Sequence, residues 1–389
     1  TNGMAYAATM RVCHKAGRVT ATSEGIEIDR AKEVVIFLAC TTNFDPTQAN
    51  HLAGNVSQIM ANINSTVQAA SNKGFERVMS RHIYDHAQLF NRVNFTLQGA
   101  EHTQPTNLLL TANTNGANNM IDQLIFQYGR YLTIAASRGI DVPSNLQDGY
   151  RGGDAVWASD IHSNINVQMN YWPSEPTNLS ECHMPFLNFI CNEALRHGGQ
   201  WQQNARQLGV EAGWVVNTAG NIFGGSSNYK IGKYSVVNAW YCSHLWQHFA
   251  YTCDTTFLRQ KAMPVMNAAC DFWVKRLVEA QNGDGTLECP NEYSPEQGYV
   301  QNATAHSQQL VTQLFEQTLK AIEVLGHEAS GCDNAYVDLL KSKLNKLDKG
   351  LRIDQNGLLR EWKYQDNTPN LSANTDFFAD DEHNVWQGH

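Results

Sequence analysis

The 389-residue sequence predicts a mainly α-helical protein, a toroid or bundle of helices that follows a short β region. From residue 53 onward, segments with apolar side chains at spacings of three and four recur at intervals of about 30–60 residues. Loops that are rich in polar and aromatic side chains separate these segments. Such loops would gather on one face of the helical body, and we expect the functional site on that face.

Residues 1–40 have the pattern of β-strands. Residues 26–28 alternate apolar and acidic side chains, and residues 34–39 form an apolar run of the length of a buried strand. Gly17 and Gly25 are suited to the turns between strands. Forty residues are too few to enclose a core of their own, so we expect that the chain begins inside a larger β domain.

The helical pattern begins after the β region. Residues 53–95 carry an apolar stripe, and residues 96–116 have the composition of a loop. Six further segments are predicted as helices: 120–135, 184–197, 237–252, 264–279, 305–325 and 334–348. Gly139, Gly326 and Gly350 follow three of them, at positions where a glycine commonly ends a helix.

The composition excludes several classes of protein. Charged residues make up 17% of the chain, the formal net charge is -9, and no cluster of Lys and Arg offers a surface for nucleic acid. The longest apolar run, residues 34–40, is too short to cross a bilayer, so no membrane insertion is expected. The nine cysteines form no CxxC pair, which argues against a disulfide framework or a zinc ribbon.

Residues 162–173 form the segment with the most unusual composition. It contains His162, the amides Asn164 and Asn166, and the aromatic pair Tyr171 and Trp172, without any Lys, Arg, Asp or Glu. A core segment would use aliphatic side chains, and a solvated face would use charged ones. Amides beside aromatic rings can hydrogen-bond the hydroxyls of a sugar and hold a water molecule. The segment therefore predicts the floor of a polar binding site.

A loop between two helical segments carries three candidate acids. Glu288, Glu292 and Glu296 lie among prolines and a glycine that hold the loop in shape. A carboxyl group on such a loop, partly walled by apolar groups, can have its pKa raised enough to donate a proton. Glu296 is the preferred candidate because Pro295 fixes its approach and Gly298 leaves room for a ligand. The alternative is that all three are solvated loop carboxylates.

His244 and His248 lie four residues apart on one face of a predicted helix. The spacing is that of the HExxH zinc motif, but Leu245 stands where that motif has its catalytic Glu. We therefore predict packed or substrate-facing histidines, and neither a metal nor a cofactor.

Five tryptophans could stack against a sugar or belong to the core. They are Trp157, Trp172, Trp214, Trp240 and Trp246. The sequence contains no glycine-rich phosphate loop and no GxSxG motif, so phosphoryl transfer and serine hydrolase chemistry have no support.

These segments resemble glycoside hydrolase family 95, the α-L-fucosidases that cleave α-1,2-linked fucose with inversion. The resemblance extends over most of the chain. The segments that carry it are 82–93, 126–132, 144–147, 162–173, 213–215, 239–248, 294–296 and 359–362. The most specific of them is the run NINxQMNYWP, which begins at Asn164.

The resemblance implies a domain order. An N-terminal β-sandwich, a helical linker, an (α/α)6 catalytic barrel and a C-terminal β domain follow one another in the family. In this chain, residues 1–48 would be the end of the sandwich, 49–115 the linker, and 116–389 a barrel that is incomplete at its C-terminus.

The resemblance also implies roles for individual residues. Glu296 would be the general acid, and Asn164 and Asn166 would bind the attacking water. The general base would be an Asp in a later segment outside this chain. The residues implied in binding a fucosylated glycan are Gln147, Trp157, His162, Trp172, Trp214 and His244. A periplasmic or extracellular location is expected, although no signal peptide is visible, and the oligomeric state stays open.

Two alternatives remain. The loops at 147–150 and 217–224 depart from the family pattern, so the sugar could be α-L-galactose. His162 favours fucose, because family members that prefer L-galactose tend to carry Thr at that position. The missing base would also fit a non-catalytic glycan-binding protein on a degenerate barrel. We prefer a barrel that continues beyond this chain, since one ending here would expose large apolar helix faces.

Overall fold

The computed structural model describes residues 3–100, 104–112, 118–146, 159–227, 234–295, 297–354 and 357–364. The chain divides into two compact units, Thr1–Asn94 and Phe95–His389. The domain boundaries expected after residues 48 and 115 stay a prediction.

The first unit joins β-strands to two helices. Strands β1 (Tyr6–Lys15) and β4 (Glu33–Thr42) pair antiparallel over ten residues, and β2 (Arg18–Ala21) pairs with β3 (Ile26–Asp29). The strands predicted at 26–28 and 34–39 are thereby confirmed, but the second has the pattern of a buried strand and no residue of β4 is buried. Helices α1 (Val56–Lys73) and α2 (Phe75–Phe90) follow, separated by a glycine in the left-handed region.

The core of the first unit is small. Ile59 and Ile63 of α1 lie one turn apart and pack with Ala7 of β1. Asn55 caps α1, because its side chain accepts a hydrogen bond from the backbone N–H of Gln58 and the Gln58 side chain accepts one in return.

The second unit is mainly helical in the residues that are described. Its helices are α3 (Thr106–Ala112), α4 (Asn119–Ala136), α5 (Asn166–Tyr171), α6 (Ser180–Leu195), α7 (Gln200–Gln207), α8 (Val237–Thr252), α9 (Thr255–Phe257), α10 (Met263–Arg276), α11 (Ala305–Ser330) and α12 (Asn334–Lys346). A π-helical turn, Leu258–Ala262, connects α9 to α10. The short strands are β5 (Ile161–His162), β6 (Ala219–Gly220), β7 (Ser226–Ser227), β8 (Val278–Glu279), β9 (Leu287–Glu288), β10 (Glu292–Ser294) and β11 (Gln297–Gln301).

The six later helices that the sequence predicts are confirmed, with ends that differ by a few residues. The largest difference is in α11, where Gly326 has φ 77° and ψ 167° and interrupts the helix as expected. The helix resumes beyond this glycine and ends at Ser330, where Gly331 adopts the left-handed conformation.

Helix α8 lies at the centre of the second unit. It is buried on most sides, and α6, α10 and α11 pack against it. The buried Asn238 amide on α8 is hydrogen-bonded on both sides: it donates to the carbonyl of Trp214 at 2.9 Å and accepts from the Trp273 indole at 2.8 Å. Within the described part of the chain, no helix has both the length and the apolar character to cross a bilayer.

Candidate active site

The segment with the two asparagines begins in a small antiparallel sheet. Strand β5 pairs with β6, with His162 opposite Ala219, and β6 pairs in turn with β7. The backbone N–H of Ser163 extends this pairing by donating to the carbonyl of Thr218 at 2.7 Å. The chain then turns into α5, whose first residue is Asn166. Asn164 and Asn166 therefore lie where a strand passes into a helix.

Ser163 holds this turn in place. Its hydroxyl is 2.6 Å from the hydroxyl of Tyr241 on α8, and its carbonyl accepts a hydrogen bond from the Gln168 amide at 2.6 Å. Burial raises the pKa of Tyr241, so the phenol keeps its proton. Gln168 is fully buried and serves the turn rather than a pocket.

His162 is oriented by a neighbouring carboxylate. Its Nδ1–H donates to Asp160 at 2.9 Å, and this tautomer leaves Nε2 as an acceptor. Asn164 is 5% exposed and Asn166 is half-buried. The structure thus brings these three residues into one braced turn, and their contact with substrate stays a prediction.

Tyr171, the last residue of α5, holds the chain segment around Ser137 and Ser144, which precedes the predicted substrate-binding residue Gln147 in the sequence. The Tyr171 hydroxyl accepts from the backbone N–H of Ser144 at 2.8 Å and lies 2.6 Å from the hydroxyl of Ser137. Because Tyr171 is 2% exposed and has these bonds, it is a structural residue and not a sugar platform. Gln147 and Trp157 lie outside the described residues.

Trp172 lines a cavity of about 350 Å³. Its wall combines aromatic rings with amide and carboxylate groups, contributed by Trp172, Glu175, Pro176, Trp240, Ser243, Gln247, Tyr251 and Gln313. Small-molecule sites of this size commonly pair apolar walls with a few polar groups.

Trp214 and His244 lie in the core. Trp214 has no exposed surface, stacks on Trp201 at 5.3 Å between ring centroids, and donates from its indole to the carbonyl of Val265. His244 is 1% exposed and its Nδ1 lies 3.0 Å from Nε2 of His183. In the described residues, both side chains contact protein groups rather than a cavity.

The acidic loop forms a hairpin of β10 and β11, in which Ser294 pairs with Gln297. Glu292 begins this hairpin, and its carboxylate accepts hydrogen bonds from the backbone N–H groups of Ser235 and Val236, just before α8, and from the Ser235 hydroxyl. Burial raises the pKa of Glu292 to about 7 and outweighs these bonds. Glu296 lies outside the described residues.

The alternative that all three loop acids are solvated is wrong for two of them. Glu292 and Glu288 are both fully buried. Glu288 lies 2.9 Å from Nζ of Lys363, which also contacts Asp348 at 3.0 Å. Glu288 is therefore part of an ion-pair network that ties β9 to the segment after α12.

Two buried groups of residues were missed by sequence reasoning. In the first, the Tyr234 hydroxyl donates to Nε2 of His306 at 2.8 Å, and burial lowers the pKa of His306 to about 4. In the second, Glu175 lies between His183 and His248. Tyr234 and His306 lie 72 residues apart, and Glu175 and His248 lie 73 residues apart. The sequence signal for the second group was the four-residue spacing between His244 and His248.

Comparison with known proteins identifies the family to which most of the chain is similar. Residues 74–374 match the glycosyl hydrolase family 95 catalytic domain. "Probable alpha-fucosidase A" of Aspergillus niger is 30% identical over 347 residues, which cover 85% of this chain and 43% of that protein. "Alpha-L-fucosidase 2" of Arabidopsis thaliana is 27% identical over 384 residues, which cover 92% of this chain and 44% of that protein. The chain thus spans less than half the length of these curated relatives.

A solved structure shows the same fold. The "Putative kojibiose phosphorylase from human microbiome" superposes with a TM-score of 0.61 at 11% identity, over 92% of this chain and 45% of that one. Together with the matching domain, this similarity confirms the predicted mainly α, (α/α)6 class.

Proposed function

The chain belongs to glycoside hydrolase family 95, and on that premise we propose that the protein containing it removes terminal α-L-fucose from α-1,2-linked glycans with inversion. The fucosidase names of two relatives support the sugar. Because the chain covers less than half of either relative, the activity of the whole protein is our inference.

One observation carries the proposal: the first turns of α8 anchor both of the predicted catalytic segments. Tyr241 holds Ser163 on the asparagine turn, and the residues just before α8 hold Glu292 at the start of the hairpin. From Val236 to Tyr241 the helix rises roughly 8 Å, so the two anchors lie close together. An acid and a water-binding turn that face one substrate need such a common support.

In the proposed reaction, Glu296 donates a proton to the leaving oxygen of the glycosidic bond. Asn164 and Asn166 hold a water molecule on the opposite face of the sugar, since an amide offers both an acceptor and a donor without adding charge. A base beyond this chain removes a proton from that water as it attacks the anomeric carbon. The acid and the base of inverting glycosidases lie about 6.5–9.5 Å apart to admit the water.

The sugar itself would contact His162 and Trp172. With Nδ1–H donating to Asp160, Nε2 of His162 is an acceptor that suits a sugar hydroxyl group, and the half-buried Trp172 ring offers an apolar face. We leave Trp214 and His244 out of this site because both are buried in the core.

Kinetics of single variants on an α-1,2-fucosyl glycan test these roles. Glu296→Gln should lower kcat by about 10²–10⁴ because the proton donor is lost. Glu279→Gln removes an exposed carboxyl from β8 and is the matched control. Turnover of Glu296→Gln at the rate of the control would remove Glu296 from the mechanism. Replacing Asn164 or Asn166 with Ala should lower kcat more than it changes KM, since the water and not the sugar is lost.

The choice between fucose and L-galactose is tested on matched substrates. L-Galactose carries a hydroxyl on C6 where L-fucose has a methyl group. The proposal expects a higher kcat/KM on the fucosyl substrate, and a higher value on the galactosyl one would favour the alternative.

A further inference from the structure

A buried cluster of one carboxylate and three imidazoles lies beside the Trp172 cavity. Glu175 follows α5, His183 belongs to α6, and His244 and His248 lie one turn apart on α8. Oε1 of Glu175 is 2.9 Å from Nδ1 of His183 and 2.7 Å from Nδ1 of His248. These three ligand atoms all lie within 4.8 Å of one another.

The cluster is enclosed by protein. The side chains of Glu175, His183, His244 and His248 are all buried. Within the described residues, the ion pairs of Glu175 are with imidazoles and not with Lys or Arg. The Glu175 carboxylate therefore has only imidazole nitrogens as its partners in these ion pairs, and carboxylate oxygens and imidazole nitrogens are typical ligands of metal ions.

We propose that Glu175, His183 and His248 bind one Zn²⁺ ion. Two imidazole nitrogens and a carboxylate oxygen are a donor set that suits zinc. Ligands at about 2.0–2.1 Å from a tetrahedral zinc are separated by roughly 3.3 Å. The present separations of 2.7 and 2.9 Å from Oε1 therefore need to widen by only about half an ångström.

The hydrogen bond between His183 and His244 supplies the second layer that such a site needs. With zinc on Nδ1, the neutral His183 ring carries its proton on Nε2. That N–H then donates to Nδ1 of His244, which lies 3.0 Å away, and His244 carries its own proton on Nε2. Zinc-bound histidines usually donate their second ring N–H in this way, which fixes the orientation of the ligand.

The cavity provides an approach for the ion and space for a fourth ligand. Glu175 forms part of the cavity wall together with Trp172, although its side chain is 3% exposed. Three protein ligands with one position open toward a cavity would leave that position to water.

Zinc binding to the purified, metal-stripped protein tests the proposal directly. Titration with ZnCl₂ in competition with a chromophoric chelator, together with elemental analysis, should give one zinc per chain. His248→Ala and Glu175→Gln should each lose this zinc, whereas His197→Ala, which removes an exposed histidine, should keep it. His244→Ala should bind about tenfold to a hundredfold more weakly, because it removes only the second-layer partner.

Two further readouts on the unchanged protein guard against misfolded variants. Zinc should raise Tm, and Co²⁺ in its place should give the visible absorption bands of a site with nitrogen and oxygen ligands. Failure of the wild-type protein to bind zinc would overturn the proposal, as would equal binding by folded His248→Ala. None of these measurements uses fucosidase activity, so the result is independent of the proposed function.

Discussion

Glu292→Gln gives the sharpest test of how the acidic hairpin is anchored. The Glu292 carboxylate is buried against the start of α8 and accepts two backbone N–H groups and the Ser235 hydroxyl. Glutamine has the same shape but no proton to gain or lose in this range. The substitution therefore isolates the effect of titrating this one buried group.

The size of the expected change in the free energy of unfolding follows from the pKa of Glu292, which burial raises from 4.5 to about 7. Between these values the folded protein holds the proton more tightly than the unfolded chain does. The stabilisation from Glu292 is thus fully present below pH 4.5 and is lost as the pH rises through about 7. A shift of this size corresponds to ~3 kcal/mol. As the pH rises through this range, the free energy of unfolding of the wild type, measured relative to that of Glu292→Gln, should therefore fall by this amount.

Urea unfolding of both proteins at pH 4.5 and pH 8 measures this difference. The comparison is needed because His306, whose pKa is lowered to about 4, gives the opposite slope between pH 4 and 6.5, and it does so in both proteins. Glu279→Gln is the control. A difference between wild type and Glu292→Gln that stays constant with pH would refute the anchoring of the hairpin by a buried, titrating carboxyl.

Two other substitutions test the site's supports. Tyr241→Phe removes the hydroxyl that contacts the buried Ser163 hydroxyl, so it should lower the free energy of unfolding by about 1–2 kcal/mol. It should also lower kcat more than it changes KM. An unchanged kcat would show that the asparagine turn does not need this contact with α8. Gly224→Ala should destabilise more than Gly283→Ala in unfolding experiments. Both glycines have φ +70°, but only at Gly224 would a Cβ meet the carboxylate of the buried Glu193. Equal losses in the two would mean that backbone strain alone, about 1–2 kcal/mol, decides the effect.

Local patterns were sufficient for the longer helices but not for the short ones. The prediction that residues 96–116 form a loop is wrong at Thr106–Ala112, which form α3, and the sequence did not predict α5, α7 and α9. Residues 237–252 were predicted as a helix and form α8 with those bounds, and a residue in the left-handed conformation, Cys253, ends it. Gly326 was predicted to end a helix and does break α11, since its φ of 77° is open to glycine at little cost.

Contacts between distant residues account for what the sequence did not reveal. Tyr171 and Gln168 belong to the segment whose composition predicted a polar pocket, yet their hydrogen bonds to Ser144 and Ser163 make them structural. Glu292 was taken for one loop acid among three, and its partners lie 57 and 56 residues away. Polar composition indicates that hydrogen bonds will form, but only the tertiary fold decides whether the partner is protein or ligand.

The stereochemistry of the product tests the central claim most directly. The protein would be mixed with an α-1,2-fucosyl glycan, and proton NMR would identify the anomer of fucose that forms before mutarotation. Inversion by a water molecule held at Asn164 and Asn166 predicts that β-L-fucose appears first. If α-L-fucose appeared first, the enzyme would retain configuration, and the roles assigned to the two asparagines would be contradicted.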